Sequence, residues 1–380
     1  MMFSEPRPNV AIVDCPGYDP ALVSQKVKES LELLGGLEQF IKPGMNVLLK
    51  PNFLSAKEPE RAITTHPEVA AAVAREVRKL GAEVTIGDLP GGVKRGVKRV
   101  WRNTGFLDMC QRESIELISF EASGVEKLET NGRRYYLAKP AIEADFVINL
   151  PKLKTHVLTL MTGAVKNMFG LIPGFRKANY HKQFPKPKDF AQVIVDILSL
   201  CPPGLTIMDA ISSMEGEGPS SGQPYWTNML ISSADPVAVD AIASEIIGLK
   251  PDRVPITRAA AEAGLGIGWP EAINVIGKSL ASAKVSDFKL TSNRTMELIP
   301  KFLVKIIDPL VWVRPDIDKQ LCTKCNTCVT SCPVGAMSSE NGEIPLIDYN
   351  LCINCWCCHE LCPEDSVFIS KSWLAQKFIR

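Results

Sequence analysis

The chain has 380 residues, 46% apolar and 22% charged, with a formal net charge of +1. That composition argues against disorder and leaves room for two or three domains around a large core. No stretch reaches the roughly 18 apolar residues of a spanning helix, and MMFSEPRPNVAIVDC has no apolar run behind its charges, so the expectation is a soluble cytoplasmic protein with membrane contact unlikely.

VAIVDC (10–15) reads as a strand and residues 23–40 as a helix with apolar Val27, Leu31 and Leu34. MNVLLKPNF (45–53) is the next strand. THPEVAAAVAREVRKLG then offers a capping Thr65, an early Pro67, apolar Val69, Val73 and Val77 at helical spacing, and a closing Gly81. EVTIGD (83–88), a helix over 93–112 and IELISFE (115–121) continue the alternation, and Asn131-Gly132 marks a hairpin turn. DFVINLPKLK (145–154) reads as one buried strand, followed by a helix over 189–200 and the strand LTIMDA (205–210). NMLISSAD leads into the helix PVAVDAIASEIIGL, and a helix over 254–263 precedes INVIG (273–277). This rhythm implies right-handed crossovers and an α/β fold with a mostly parallel, doubly wound sheet.

Ligands of such sheets bind outside the carboxyl ends of the strands. Lys50 and Asn52 close one strand, Asp88 with Gly91 and Gly92 another, and Lys152, Lys154 and His156 a third. Asp209 with EGEGPSSG (215–222) and Asp235 add two more polar sets to the same edge. With Lys166 and Asn167 in GAVKN, these residues predict a site for a small anion, phosphate or carboxylate, helped by the backbone amides that open the TGAVKN helix.

A buried structural role and a proton-donating role both suit His156; His66 is the second candidate catalytic residue. His181 falls in NYHKQFPK, read as a mobile loop. Asp235 before Pro236 is the expected helix cap, Asp240 a complement to that helix's positive end, and Asp209 with Glu215 either a divalent-ion pair or a pocket cover. EGEGPSSG matches neither nucleotide-binding glycine fingerprint, and no basic tract interleaved with aromatics indicates nucleic acid.

RTMELIPKFLVKIIDPLVWVR (294–314) is apolar but broken by Pro300, Lys301, Lys305, Asp308 and Pro309, so a linker is preferred over a membrane-surface helix. Beyond it, residues 316–370 carry eight acidic residues and two lysines, a balance of −6 that leaves +7 elsewhere. Nine of the twelve cysteines crowd between Cys322 and Cys362. CTKCNTCVTSCP and CINCWCCHELCP each contain C-x2-C-x2-C-x3-C-P, the spacing in which three thiolates hold one [4Fe-4S] cluster and the fourth reaches the other. Cys322, Cys325, Cys328 and Cys362 form one predicted set; Cys332, Cys352, Cys355 and Cys358 form the second, with Cys357 a spectator. Zinc does not require a duplicated four-cysteine run, and disulfides require an oxidising compartment. This segment resembles the bacterial two-cluster ferredoxins.

KPN (50–52), KLKTH (152–156), GAVKNMFG (163–170), MEGEGP (214–219) and DPVAVDA (235–241) resemble, in that order, the domain of unknown function family 362, whose members are often fused to ferredoxin modules. The resemblance implies the architecture and supplies no substrate. The expected organisation is a body over 1–290, a linker over 291–315, a two-cluster module over 316–370 and a tail over 371–380. The expected function is an iron–sulfur oxidoreductase passing electrons to an anionic substrate, with an unidentified donor or acceptor protein as partner. A non-catalytic carrier, or a non-redox transferase or isomerase with structural clusters, is the alternative.

Overall fold

The structure, a computed structural model, describes residues 7–90, 97–173, 176–184, 186–291, 312–340, 342–373 and 375. Gly91, Gly92, residues 292–311 of the expected linker and residues 374 and 376–380 of the expected tail lie outside the described residues.

The strands are β1 (Asn9–Asp14), β2 (Asn46–Pro51), β3 (Glu83–Asp88), β4 (Glu116–Ser119), the hairpin β5 (Val125–Thr130) and β6 (Arg133–Ala138), β7 (Phe146–Leu150), β8 (Lys152–His156), β9 (Leu160–Thr162), β10 (Leu205–Glu215), β11 (Gln223–Ser233) and β12 (Asn274–Gly277). A ten-stranded sheet runs β12-β1-β11-β10-β7-β2-β3-β4, with β8 pairing β10 and β9. Most neighbours are parallel, as expected of the alternating pattern; β11 runs antiparallel to both β1 and β10, and β8 antiparallel to β9. The hairpin turns at Asn131 and Gly132, both left-handed, as a two-residue turn demands.

Covering helices are α1 (Pro20–Leu33), α2 (Pro67–Lys79), α3 (Val97–Asn103), α4 (Phe106–Glu113), α5 (Lys139–Glu143), α6 (Ala164–Asn167), α7 (Arg176–Gln183), α8 (Pro187–Leu200), α9 (Pro236–Ile246) and α10 (Pro255–Glu262). One apolar cluster joins α1, α2 and α4 to the sheet and others join α8, α9 and α10 to it, so the layers are those of a doubly wound domain. The single helix expected over 93–112 is broken at Gly105, whose left-handed φ of 75° ends α3 and starts α4. The cap of α2 is His66 rather than Thr65: His66 Nδ1 accepts from Glu68 N, whereas the Thr65 hydroxyl donates to Leu150 O and accepts from Asn52 N.

The strand expected over 145–154 divides at Pro151, which has no N–H to give a ladder. β7 pairs with β2 and the start of β10, and β8 pairs with β10 further along. Asp209 N donates to Pro151 O at 2.9 Å, which holds the break beside β10. The division carries Lys152 and Lys154 past the end of β2, whose last residue, Pro51, pairs with Leu150.

In the C-terminal module, Val313–Ile317 pairs antiparallel with Val367–Lys371, so its first strand begins inside the stretch read as linker. Short helices Thr327–Ser331 and Cys357–Leu361 follow the two cysteine loops. The duplication is visible in the backbone: Lys324 and Asn354 are left-handed at matching positions, and so are Asn326 and Trp356. Left-handed non-glycine residues are uncommon, and here the turns they form curl each loop's cysteines toward one side. Asp365 bridges the module to Lys57 at 3.1 Å and Arg61 at 3.4 Å, and Trp356 and Val313 pack on Val157 of the body. The acidic module thus sits on the basic edge of the sheet.

Candidate functional site

Two of the predicted lysines arrive already neutralised. Lys50 lies 2.8 Å from Asp88, whose other oxygen accepts from Phe53 N; Lys152 lies 2.8 Å from Asp209 and donates to Tyr18 Oη at the same distance. All four charged side chains are buried, so each pair is paid for only by its own geometry and hydrogen bonds. Asp209 also accepts from Tyr18 Oη, His66 N and Ile211 N, while Glu215 accepts from Lys289 N. Both carboxylates are thus held by protein donors.

Lys154 is buried without a carboxylate. Its Nζ donates to Asn52 Oδ1 at 2.8 Å and Ile63 O at 2.7 Å, and burial first, then Lys166, pushes it well below the usual lysine range. From there a chain of amides runs inward: Asn52 Nδ2 donates to Asn167 Oδ1, Asn167 Nδ2 to Asn149 Oδ1, and Asn149 Nδ2 to Ala164 O, at 2.8–3.1 Å. Asn149 was not singled out in the sequence because a lone asparagine inside an apolar strand carries no motif.

GAVKNMFG explains itself once α6 is in place. Asp240 reaches across from α9 to accept from Ala164 N and Val165 N, and a Cβ at Gly163 would collide with that carboxylate. This corrects two expectations: Asp240 caps α6 rather than its own helix, and the α6 amides are occupied rather than free for an anion. Burial pushes Asp240 up to about 7, against the lowering effect of its two amide donors. Gly170 similarly leaves space for the Lys50–Asp88 pair, which a Cβ there would strike.

Next to these networks lies a cavity of about 100 Å³ between the body and the module. Asn52, Asp88, Lys166, Asn167, Lys177 and His181 line its body side, Phe53, Leu89 and Phe169 its apolar walls, and Cys357, Glu360 and Leu361 the module side. Lys50, Lys152 and Lys154 do not reach it; of the predicted lysines, only Lys166 does. Lys177 donates to Leu89 O at 2.9 Å, and burial brings it down to about 8. His181 sits on α7, not on a loop, and is buried against Phe190 with ring centroids 4.2 Å apart. Sequence could have found it only through the helical placement of Lys177 and His181 on one face.

His156 and His66 lie elsewhere. His156 is wholly buried, its Nδ1 accepting from Leu158 N at 3.0 Å, which places the proton on Nε2, 3.1 Å from Glu360 Oε1. Both of those facing atoms lack a hydrogen-bond partner. Burial drives His156 to about 4, so at pH 7 the imidazole is neutral and the contact is not an ion pair. Burial would raise Glu360, but the combined pull of His156, Lys166 and His181 holds it below the usual carboxylate range; with His156 neutral, Lys166 is the charge that matters at pH 7. His66 stacks on Tyr18 at 3.7 Å beside the Lys152–Asp209 pair and does not line the cavity.

Depressed imidazoles have a consequence for stability. His66, His156 and His181 are each lowered by burial from 6.5 to about 4, so the unfolded chain takes up their protons first as the pH falls. Their contribution is complete above pH 6.5 and is lost toward pH 4. Asp240, raised from 3.8 to about 7, acts oppositely over nearly the same range, but three groups outweigh one. The melting temperature is therefore expected to fall steadily from pH 7 to 5, and His181→Gln should flatten that slope. A pH-independent melting temperature would contradict the neutral, buried state of these rings.

Cysteines within each predicted set act on one another through space. The Cys328 thiol is raised by burial and then by Cys362, Cys325 and Cys322; Cys358 is raised by burial and then chiefly by Cys355 and Cys352, with Cys328 and Cys332 beyond them. Cys332, Cys352, Cys355 and Cys358 also line one apolar cavity with Met337 and Ile347. Ala336 N donates to Cys332 Sγ at 3.2 Å. Thiol donors around an apolar space, with an amide directed at sulfur, fit an iron–sulfur cluster. Cys357 borders both this cavity and the one lined by Lys166.

An α/β body carrying such a module defines the class: an iron–sulfur protein with a C-terminal 4Fe-4S dicluster domain, whose family model matches residues 314–363. The model for the domain of unknown function DUF362 matches residues 47–245, and the chain belongs to that family. It is 37% identical over 259 residues to a thylakoid-associated protein of Synechocystis sp., a match spanning 68% of this chain and 80% of that one. Among solved structures it is similar to the lactate racemase apoprotein of Thermoanaerobacterium thermosaccharolyticum, with a TM-score of 0.42 and 12% identity over 61% of this chain and 55% of that one. A Thermotoga maritima protein from a structural genomics consortium gives a TM-score of 0.36 and 15% identity over 63% and 58%. The chain thus spans less than two thirds of either solved relative. No helix among the described residues is long and apolar enough to cross a membrane.

Proposed function

We propose that this protein is an iron–sulfur oxidoreductase that reduces a small anion held between its α/β body and its dicluster module. The observation that carries the reading is the position of Cys357, which walls both the cavity of Cys332, Cys352, Cys355 and Cys358 and the cavity of Lys166. A carrier that only docked partners would not require a cation-bearing cavity against its cysteine module. When bound, each cluster exchanges one electron, so two supply the pair that most reductions require.

The chain's own residues divide the remaining work. Lys166 and Lys177 attract and orient the anion, while Phe53, Leu89, Phe169 and Leu361 exclude water from it. Lys50–Asp88 and the Asn52–Asn167–Asn149 chain hold the wall rigid. Glu360 lines the cavity from the module side, its Oε1 3.1 Å from His156 Nε2. Cytoplasmic placement and an external redox protein as electron donor belong to the same proposal.

The test is reoxidation of the reduced, anaerobically reconstituted holoprotein by a library of carboxylates, phosphates and sulfonates, followed by visible absorbance. At least one acceptor should reoxidise it faster than buffer does, and Lys166→Met should slow that acceptor about tenfold or more, the worth of one charge-assisted contact. If no anion accelerates reoxidation, the reading fails.

A further inference from the structure

The same cavity carries information about which anion it takes. Resting on the reading of that cavity as the substrate site, we infer that its ligand is a small monocarboxylate with a short apolar body, and not a phosphate or a dicarboxylate.

Charge is the first argument. Lys166 has no hydrogen bond or ion pair within 4 Å among the described residues, although Glu360 acts on it through space. Lys177 holds only the Leu89 carbonyl. Asp88 is spent on Lys50 and on Phe53 N. Among the cavity's own side chains, two lysines against the single carboxylate of Glu360 leave one positive charge uncompensated, which suits a monoanion beside an anionic cluster; the second carboxylate of a dianion would be turned toward Glu360 or into the apolar wall.

The donor set is the second argument. A phosphate needs several converging donors, which proteins usually supply from a glycine-rich loop or a helix start. Here the start of α6, between the cavity residues Thr162 and Lys166, is closed by Asp240, and a Cβ at Gly163 would collide with the same carboxylate. The side-chain donors that remain are Lys166, Lys177, the neutral His181 ring and the Thr162 hydroxyl, which is 4% exposed and has no hydrogen-bond partner among the described residues. Four donors from separate side chains match the two oxygens of a carboxylate, whose four lone-pair positions they do not exceed.

Shape is the third. The cavity's exposed lining is mainly apolar, contributed by Phe53, Leu54, Leu89, Phe169 and Leu361. A volume of about 100 Å³ corresponds to roughly seven water-sized spheres. That accommodates a carboxylate with a chain of a few carbons and gives each added methylene a dry surface to cover.

Isothermal titration of the oxidised holoprotein with acetate, butyrate, crotonate, crotonamide, succinate and inorganic phosphate tests this without any electron transfer. Butyrate and crotonate should bind about tenfold or more tightly than acetate, from two or so buried carbons. Crotonamide should lose about tenfold or more, and succinate and phosphate should neither bind nor displace crotonate. Lys166→Met should weaken crotonate about tenfold or more with Lys166→Arg recovering part of the loss, and Thr162→Val, which keeps the side chain's shape, should weaken it severalfold. Phosphate or succinate binding as tightly as crotonate overturns the inference, as does the absence of carboxylate binding or indifference to both Lys166→Met and Thr162→Val. Carboxylate binding in a protein that no carboxylate reoxidises would sink the oxidoreductase reading and leave this one standing. Reoxidation by a phosphate ester that competes at Lys166 would do the reverse.

Discussion

Cys358→Ala is expected to cost the reconstituted protein about half of its iron and acid-labile sulfide, and Cys328→Ala the other half, while Cys357→Ser keeps the full complement. The reasoning is spatial as well as sequential. Cys328 and Cys358 belong to different predicted sets, and each lies on a helix that follows its own cysteine loop. Both are buried with Cys362, Met337 and Val367 in the module's small core, so removing a ligand also weakens the packing around it. Cys357 lies between the cavity of Cys352, Cys355 and Cys358 and that of Lys166, and the cysteine spacing is complete without it. Iron and sulfide determinations per chain decide the matter: loss of about half of the iron from Cys357→Ser would make it a ligand, and identical losses from Cys328→Ala and the double variant would mean a single cluster.

Asp209→Ala is expected to destabilise the body by about 3–5 kcal/mol, the usual consequence of stranding one member of a buried ion pair. Lys152 would keep its charge at 0% exposure with only Tyr18 Oη as a partner, and His66 N, Ile211 N and Tyr18 Oη would each lose an acceptor. In a body of this size the melting temperature should drop on the order of 10 °C. Asp209→Asn, which retains an acceptor oxygen without the charge, should lose less. A fall below about 1 kcal/mol would show that Lys152 is neutral in the folded protein, since only an uncharged amine tolerates that burial without a counter-ion.

The same pair shows where sequence reading stops. Lys152 and Asp209 both ended strands on the predicted edge, and that placement holds, but a strand-end lysine looks alike whether it meets a ligand or an aspartate. The partner is set by register: Asp209 stands opposite Lys152 where β10 leaves β7 for β8. Lys166 carried no distinguishing mark in the sequence, yet it is the predicted lysine that reaches the cavity. His181 was hidden by a surrounding polar stretch that folds as α7, and Asp240 by lying one helix away from the amides it caps.

The sequence by itself determined the alternating α/β body, the duplicated cysteine spacing and the edge of the sheet at which the polar residues gather. Each is a local pattern: apolar periodicity decides strand or helix, and thiolate spacing along the chain determines which sulfurs can share a cluster. Only the tertiary structure decided which charges cancel and which remain, because a charge's partner is chosen by distance across strands and domains. It paired Lys50 with Asp88 and Lys152 with Asp209, closed the α6 amides with Asp240, and set Cys357 and Glu360 of the module opposite Lys166.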